Sequence, residues 1–175
     1  MSYKTIRNRT EASFTEKKSE FIAYISPAGT EEEAIGFINE IRAMHRKATH
    51  NCYAYILRNN NTGRHSDDGE PGGTAGMPIY DVLSKNGITD VVCVVTRYFG
   101  GILLGTGGLV HAYSKGASMA LANAEIVNME VADSLKISCD YTMYGIVNSV
   151  LPEFESIIRL SLIHISEPTR RSYIS

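Results

Sequence analysis

The feature that most constrains the fold is a run of five consecutive apolar residues, Val91, Val92, Cys93, Val94 and Val95. A strand that is apolar on both sides lies inside a sheet, with helices covering at least one face. The run belongs to a predicted strand from Asp90 to Tyr98. A glycine-rich turn at residues 100–108 follows and leads into a helical pattern. This order of strand, turn and helix indicates an α/β protein.

Short β-like runs bounded by polar or turn residues predict the strands. In chain order they are Tyr3–Arg7, Glu11–Phe14, Glu20–Ile25, Cys52–Leu57, Asp90–Tyr98 and Ile126–Val131. A long, polar, glycine-rich connection at Asn59–Gly73 lies between the fourth and the fifth of these. Connections of this length are usually functional or mobile, so this one is a candidate for part of a site.

Three helices are expected between these strands. Thr30 and Glu33 form a capping-box pattern, in which each side chain satisfies the other residue's free backbone N–H, and it predicts a helix over residues 31–46. A second helix is expected from Ala75–Met77 to Lys85, because Pro78 fits only in a first turn. The third follows the glycine-rich turn, and its predicted inner face is Leu109, Val110, Tyr113, Ala117, Ala120 and Leu121. A further helix is expected to begin near Tyr144.

Composition narrows the class of partner. Seventeen basic and nineteen acidic side chains give a net charge of -2, so RNA binding would require a local basic patch rather than bulk charge. No apolar run approaches the roughly 20 residues that span a bilayer, and the first residues lack a signal-peptide core. The expected location is therefore the cytoplasm, without a membrane partner. Cys52, Cys93 and Cys139 lie in apolar or β-like runs, which favours buried, reduced thiols over disulfides.

Three motifs, in this order and spacing, point to one family. They are Lys47-Ala-Thr-His50-Asn-Cys52-Tyr-Ala-Tyr, then Ser66-Asp67-Asp68-Gly69-Glu70-Pro71 through Thr74-Ala75-Gly76, and then Thr96-Arg97-Tyr98-Phe99-Gly100-Gly101 through Leu104-Gly105. Together they resemble the IMPACT family, whose bacterial members are the YigZ-type proteins. The resemblance covers the chain from its first residue to about residue 132.

The resemblance implies a two-layer α/β (α+β) sandwich like domain 2 of a small-subunit ribosomal protein and domain IV of elongation factor G. It also implies a second, ferredoxin-like domain, which is truncated here. The expected domains are residues 1–132, a truncated second domain at 133–159, and a non-native, adapter-like tail at 160–175 that is expected to be disordered. The family's connection with translation implies a regulatory or binding protein rather than an enzyme.

The glycine-rich turn is the first candidate site, because free N–H groups and the helix dipole converge at a helix start and glycines let a phosphate come close. The candidate residues for binding nucleic acid or phosphate are Lys47, His50, Arg97, Gly105, Gly107, Gly108, His111 and Lys115, which are expected to meet on one surface. Alternatively, the glycines only permit a tight turn and close packing, since their spacing is not that of a Walker A motif.

The Asn59–Gly73 connection holds the weaker candidates. Asp67, Asp68 and Glu70 could bind a divalent metal, but an acidic turn in which Asp accepts from backbone N–H groups is favoured, so no metal and no other cofactor is expected. A nucleophilic site would combine Cys52 or Cys93 with His50 and Asp67, because a thiol needs an adjacent base. No complete triad is present, and no catalytic residue is assigned.

The function expected from the sequence is a translation-associated regulatory or binding protein that contacts RNA or the ribosome through a local basic, glycine-rich surface. A protein partner in translation control is a further expected partner, and sequence-specific DNA binding is not expected. The alternative is a small-molecule hydrolase or a GHMP-like phosphotransferase that uses the glycine-rich turn for phosphate. This alternative ranks lower because a Ser-rich phosphate loop is missing.

Overall fold

A computed structural model describes residues 2–59, 62–131 and 136–153. By its internal contacts the chain divides into two units, Met1–Ala132 and Asp133–Ser175. In chain order the described elements of the first unit are β1 (Tyr3–Ile6), β2 (Thr10–Glu16), β3 (Ser19–Pro27), α1 (Glu31–Met44), β4 (His50–Leu57), β5 (Thr62–Ser66), α2 (Gly76–Lys85), β6 (Val91–Tyr98), α3 (Gly105–Ala122) and β7 (Ile126–Met129). In the second unit, α4 (Tyr141–Val150) precedes a 3-10 turn (Leu151–Glu153).

The predicted assignment of these units to two domains stays a prediction. The proposed ferredoxin-like domain is represented among the described residues by α4 and its flanking segments, and α4 has no buried side chain. The proposed tail at 160–175 lies outside the described residues. Across the part of the chain that the structure describes, no helix has the length and apolar character needed to cross a membrane.

Five strands form one antiparallel sheet in the order β2-β3-β6-β4-β5, while β1 and β7 pair in a separate two-stranded sheet. Strand β6 is central, as its continuous apolar run predicts, and residues 91–95 are all buried. Side chains of α2 and α3 pack on one face of the sheet, and side chains of α1 pack on the other. The predicted α/β class is confirmed, but with helices on both faces of the sheet the elements form three layers rather than the two-layer sandwich that the resemblance implies.

Helix α1 begins with a variant of the predicted capping box. The Thr30 hydroxyl accepts a hydrogen bond from the Glu33 N–H at 3.2 Å, as expected. The Glu33 carboxylate, however, accepts from the N–H of Gly29 at 2.7 Å, one residue before the position that the pattern predicts. The two bonds satisfy one free N–H inside the first turn, at Glu33, and one ahead of it, at Gly29. The helix ends at Met44, two residues earlier than predicted.

The prediction of an irregular connection over Asn59–Gly73 was wrong for residues Thr62–Ser66, which form strand β5. This strand pairs with β4 from Tyr53 opposite Ser66 to Leu57 opposite Thr62. Its sequence, Thr-Gly-Arg-His-Ser, has no apolar residue, and none of its residues is buried. It is an edge strand, so pairing with β4 rather than burial of side chains makes it a strand.

Two predictions about burial also need correction. Val110 was placed on the inner face of α3 but is 39% exposed, because its helical position points away from the sheet. Cys139 was expected to be buried but is exposed, since it lies in the irregular segment before α4. Cys52 and Cys93 are buried free thiols, as predicted.

Gly100, in the loop after β6, tests how closely that loop packs against the β2–β3 turn. A Cβ at Gly100 would overlap the backbone carbonyl of Lys18 in the β2–β3 turn. Gly100→Ala should therefore lower the free energy of unfolding by about 1–3 kcal/mol, the usual cost of overpacking. Gly36→Ala is the matched control, because a Cβ there meets nothing within 4 Å in helix α1. It should raise stability by about 0.5–1 kcal/mol. Equal stabilities in urea unfolding would contradict the described packing.

Candidate functional site

The candidate site lies at the edge of the five-stranded sheet that is formed by the ends of its strands, where β3 and β4 begin and β6 ends. Strand register places Phe21 of β3 and His50 of β4 directly opposite Arg97 of β6. Antiparallel pairing thereby brings together the start of β3, the start of β4 and the end of β6. Directly opposite residues point to the same face, so all three side chains point to the face covered by α2 and α3.

A buried ion pair between Glu70 and Arg97 forms the centre of the site. Arg97 Nη1 donates to Glu70 Oε1 at 2.7 Å, and the Tyr113 hydroxyl donates to the same oxygen at 2.8 Å. The side chains of Arg97 and Glu70 are 5% and 3% exposed. Arg97 Nη2 donates to Ser19 Oγ at 3.3 Å, while Nε has no hydrogen-bond partner among the described residues. Arg97, a candidate for surface charge in the sequence, is therefore a buried cation balanced by Glu70.

Glu70 is positioned by a turn that Asp67 closes. The Asp67 carboxylate accepts from the backbone N–H groups of Gly73, Ala75 and Gly76 at 2.8, 3.0 and 2.8 Å. Burial opposes the charged form, but these three bonds prevail and lower the pKa of Asp67. Because no side chain at the start of α2 caps the helix, Asp67 supplies the cap from a distance in sequence.

Asp68 joins the same turn to β4 and α1. Its carboxylate accepts from the Asn51 N–H at 2.7 Å and from Arg42 Nη2 at 2.8 Å. The three carboxylates considered for a metal, on Asp67, Asp68 and Glu70, are thus each engaged by donors of the protein. The described residues contain no group of three or more His, Cys, Asp or Glu side chains placed to hold a metal ion. A metal here would have to displace the bonds that close the turn.

His50 is held against the turn by its ring. Nδ1 lies 2.8 Å from the carbonyl oxygen of Asp68, which can only accept, so Nδ1 carries a proton and donates it. Nε2 lies 3.8 Å from Glu70 Oε1. Gly69, whose φ is 89°, lets the backbone pass beside the ring. His50 therefore forms part of the support of the turn and lies next to the buried pair.

The two thiols of the sheet are poor nucleophiles. The Cys52 thiol donates to the Asp67 carbonyl oxygen at 3.0 Å. Burial raises the pKa of Cys52 well above its usual value, and the nearby carboxylates add to this effect. Burial alone raises the pKa of Cys93 to about 12. Since the thiolate is the reactive form, neither thiol is activated at neutral pH.

The glycine-rich start of α3 is exposed and has no cap. Gly105, with a φ of 76°, begins the helix, and Gly107 and Gly108 follow in its first turn. Leu104 occupies the N-cap position without a side-chain hydrogen bond, and the first turn has no acidic residue. The first N–H groups of a helix lack intrahelical acceptors and carry partial positive charge. This end of α3 is thus suited to an anion.

The structure separates the remaining basic candidates. Lys47 is exposed on the loop between α1 and β4, at the same edge of the sheet as His50 and Arg97. His111 is exposed on α3. Lys115 lies further along α3 with its Nζ 4.4 Å from the ring centroid of Phe14 on β2. Lys47, His111, Lys115 and the start of α3 are therefore the accessible part of the predicted set, whereas His50 is half-buried and Arg97 is buried.

The β2–β3 turn, whose flanking strands were predicted, adds two cations to this edge that the predicted site does not include. We call the following residues the basic rim, and all are exposed: Lys17, Lys18, Arg46 and Lys47. None of them forms an ion pair with another described residue. The Lys18 carbonyl packs against Gly100, and the Thr49 hydroxyl accepts from the Phe99 N–H at 3.1 Å. Lys17 and Lys18 both have positive φ, 44° and 64°, as in a type I′ hairpin turn, but the sequence lacks the Asn-Gly or Asp-Gly pair that signals such a turn.

The loop between β6 and α3 carries more than the glycines of the predicted site. It also exposes three large apolar side chains, which we call the apolar loop: Phe99, Ile102 and Leu103. Their exposed fractions are 46%, 41% and 82%. Exposed apolar side chains grouped in one loop are a common feature of contact sites, so we treat the basic rim and the apolar loop as one candidate surface at this edge.

Fold and site define a small α/β protein in which a buried Glu–Arg pair fixes an acidic turn beside a glycine-rich helix start. The family model of the Impact N-terminal domain matches residues 17–121, which include this whole site. The chain is 42% identical over 167 residues to the IMPACT family member YvyE of Bacillus subtilis, covering 95% of this chain and 76% of that protein. The chain belongs to the IMPACT family.

Two further comparisons agree with this membership. The chain is 36% identical over 145 residues to the IMPACT family member YigZ of Escherichia coli, covering 81% of this chain and 71% of that one. A crystal structure of a hypothetical protein superposes with a TM-score of 0.70 at 32% identity, covering 93% of this chain and 81% of that chain. The predicted family and its mixed α/β fold are confirmed.

Removal of the Glu70 charge tests the role of the buried pair. Glu70→Gln leaves the Arg97 cation buried without a counter-charge, so the free energy of unfolding should fall by about 3–5 kcal/mol. Tyr113→Phe removes one hydrogen bond and should cost about 0.5–1.5 kcal/mol. The matched control is Glu125→Gln, whose pair with Arg7 has side chains 54% and 67% exposed. It should cost less than about 1 kcal/mol. A Glu70 variant as stable as the Glu125 variant in urea unfolding would contradict this account.

Proposed function

We propose that this protein is a translation-associated regulatory or binding protein that contacts RNA, free or in the ribosome, through the basic rim and the start of α3. Membership in the IMPACT family supports the link to translation that the sequence resemblance implies. The contact with RNA is supported by the chemistry of the surface. Its charge is local, as the net charge of -2 requires of any RNA-binding surface in this chain.

The observation that carries the proposal is an exposed, uncapped helix start together with four cations that have no ion-pair partner among the described residues. The link between them is Gly100, which follows β6, packs against the Lys18 carbonyl and donates its N–H to Ser19 Oγ at 3.2 Å. Phosphate oxygens accept hydrogen bonds from both lysine ammonium groups and backbone N–H groups. Phosphates of one strand are therefore suitable ligands for this surface.

Acidic residues limit the strength of this binding. Glu16 and Glu20 flank the Lys17-Lys18 turn on β2 and β3, and Glu16 is paired directly with Ser19 in the ladder. Their charge opposes an approaching phosphate. We therefore expect weak RNA binding that depends strongly on salt, with about three to five phosphates contacted at roughly 0.7 released cations each.

The enzyme alternative has weaker support. The carboxylates of Asp67, Asp68 and Glu70 are used to close a turn and to balance Arg97. Burial raises the pKa of both Cys52 and Cys93, which disfavours a thiolate nucleophile. A phosphotransferase or hydrolase would need other groups to supply its base and its nucleophile.

The salt dependence of RNA affinity tests the proposal. Fluorescence anisotropy with a labelled single-stranded RNA should give a slope of log affinity against log salt of about -2 to -4. The double variant Lys17→Ala with Lys47→Ala removes two phosphate contacts, so its slope should be shallower by about 1.4.

The matched control is the double variant Lys4→Ala with Lys85→Ala, which removes the same charge from β1 and from the end of α2. Its slope should equal that of the unchanged protein. If the two double variants lose affinity equally, the contact is not at the basic rim. A slope near zero, or no binding at low salt, would remove the RNA proposal.

A further inference from the structure

The apolar loop differs from the rest of the candidate surface because its exposed side chains are apolar rather than cationic. Phe99, Ile102 and Leu103 project from the loop between β6 and α3, and Leu103 is 82% exposed. Lys18 borders this loop through Gly100, and the loop leads directly into the uncapped start of α3. A ligand that covers the surface would therefore combine apolar groups with negative charge.

Phe99 is held in a fixed position. Its backbone N–H donates to Thr49 Oγ1 at 3.1 Å. The guanidinium carbon of Arg97 lies 5.4 Å from the centroid of the Phe99 ring and 5.5 Å from that of Phe21, so the cation contacts both rings. Glu70 and Ser19 in turn fix the guanidinium.

This support matters because an exposed aromatic ring usually pays an entropic cost when it is ordered by a ligand. Here the ring rests on a buried, hydrogen-bonded cation, and 46% of Phe99 remains exposed. The contact with the cation therefore lowers the cost of ordering the ring on binding, and the exposed part of Phe99 is suited to stacking.

We infer that Phe99 stacks an unpaired base of single-stranded RNA, while Leu103 covers the edge of that base and the neighbouring phosphates lie on Lys18 and at the start of α3. The inference rests on the proposed function and adds the form of RNA that is bound. Bases within a duplex already stack on each other, and their faces are unavailable. Unpaired bases can stack on an aromatic side chain whatever their identity.

The chemistry favours this ligand over an apolar protein surface. The four cations of the basic rim form no ion pair with another described residue, and an apolar partner would leave them unpaired on binding. A nucleotide supplies a flat apolar ring and a phosphate at a short separation. It therefore satisfies both parts of the surface at once.

Two measurements test the inference. The first compares the affinity of the full chain for a single-stranded RNA with its affinity for a duplex of the same length at one salt concentration. The single strand should bind at least about fivefold more tightly, although the duplex has the higher charge density. This comparison needs no variant, so it does not depend on whether a substituted chain folds.

The second measurement uses matched variants at Phe99. Phe99→Leu keeps an apolar side chain but removes the ring, and it should weaken single-strand binding at least about fivefold. Its salt slope should not change, because stacking releases no counterions. Phe99→Tyr retains the ring and should bind like the unchanged protein. Ile35→Ala controls for loss of an exposed apolar group, since Ile35 is 45% exposed on α1.

The outcomes separate this inference from the proposed function. Equal affinity for single strand and duplex, or a Phe99→Leu variant that binds normally, overturns the inference and leaves the salt-dependent RNA contact standing. No binding to either RNA overturns both and leaves the apolar loop as a surface for a protein partner. Preference for the single strand together with a ring-dependent loss of affinity at constant salt slope supports the inference.

Discussion

The buried pair between Glu70 and Arg97 is the interaction on which the functional edge of this molecule depends. Burial of two charges costs free energy, and their attraction offsets that cost only when the geometry is good and the remaining polar atoms are satisfied. Here one carboxylate oxygen accepts from both Arg97 and Tyr113, at 2.7 and 2.8 Å. Three segments far apart in the chain, namely the acidic turn, the end of β6 and α3, are joined through this single oxygen.

The surface features follow from this pair by short chains of contacts. Ser19 Oγ accepts from Arg97 and also from the N–H of Gly100, so the β2–β3 turn and the loop after β6 are fixed together. The Phe99 ring rests on the Arg97 guanidinium. The buried Glu70–Arg97 pair therefore supports the exposed basic rim and apolar loop, whose own residues make few hydrogen bonds with one another. This arrangement is typical of sites that are built on a rigid support.

Local signals in the sequence were sufficient for most of the fold. The apolar run at residues 91–95 predicted the central strand, and the Thr30-x-x-Glu33 pattern predicted the start of α1. Each of these signals lies within a few consecutive residues, so the sequence contains it in full. Strand β5 was missed because an edge strand without apolar residues carries no such signal. Strand β5 forms by pairing with β4, and its own sequence contains no information about that pairing.

The site was predicted only in part, for a related reason. Glu70 and Arg97 were both named from the sequence, one as a weak metal ligand and the other as a surface cation. A carboxylate or a guanidinium has the same chemistry whether it binds a ligand or pairs inside the protein, and burial decides between these roles. Burial at these positions is set by contacts between residues far apart in the chain, such as Tyr113 with Glu70. The sequence pattern alone does not contain that information.

Amide hydrogen exchange in the unchanged protein and in Glu70→Gln tests the central claim most directly. The N–H groups of Ala75 and Gly76 are bonded to Asp67, and the N–H of Gly100 is bonded to Ser19. If the buried pair joins the two loops, all three amides should lose protection together in the variant, by more than the amides of helix α1. Faster exchange at Ala75 and Gly76 with unchanged protection at Gly100 would show that the pair does not organise this edge of the sheet.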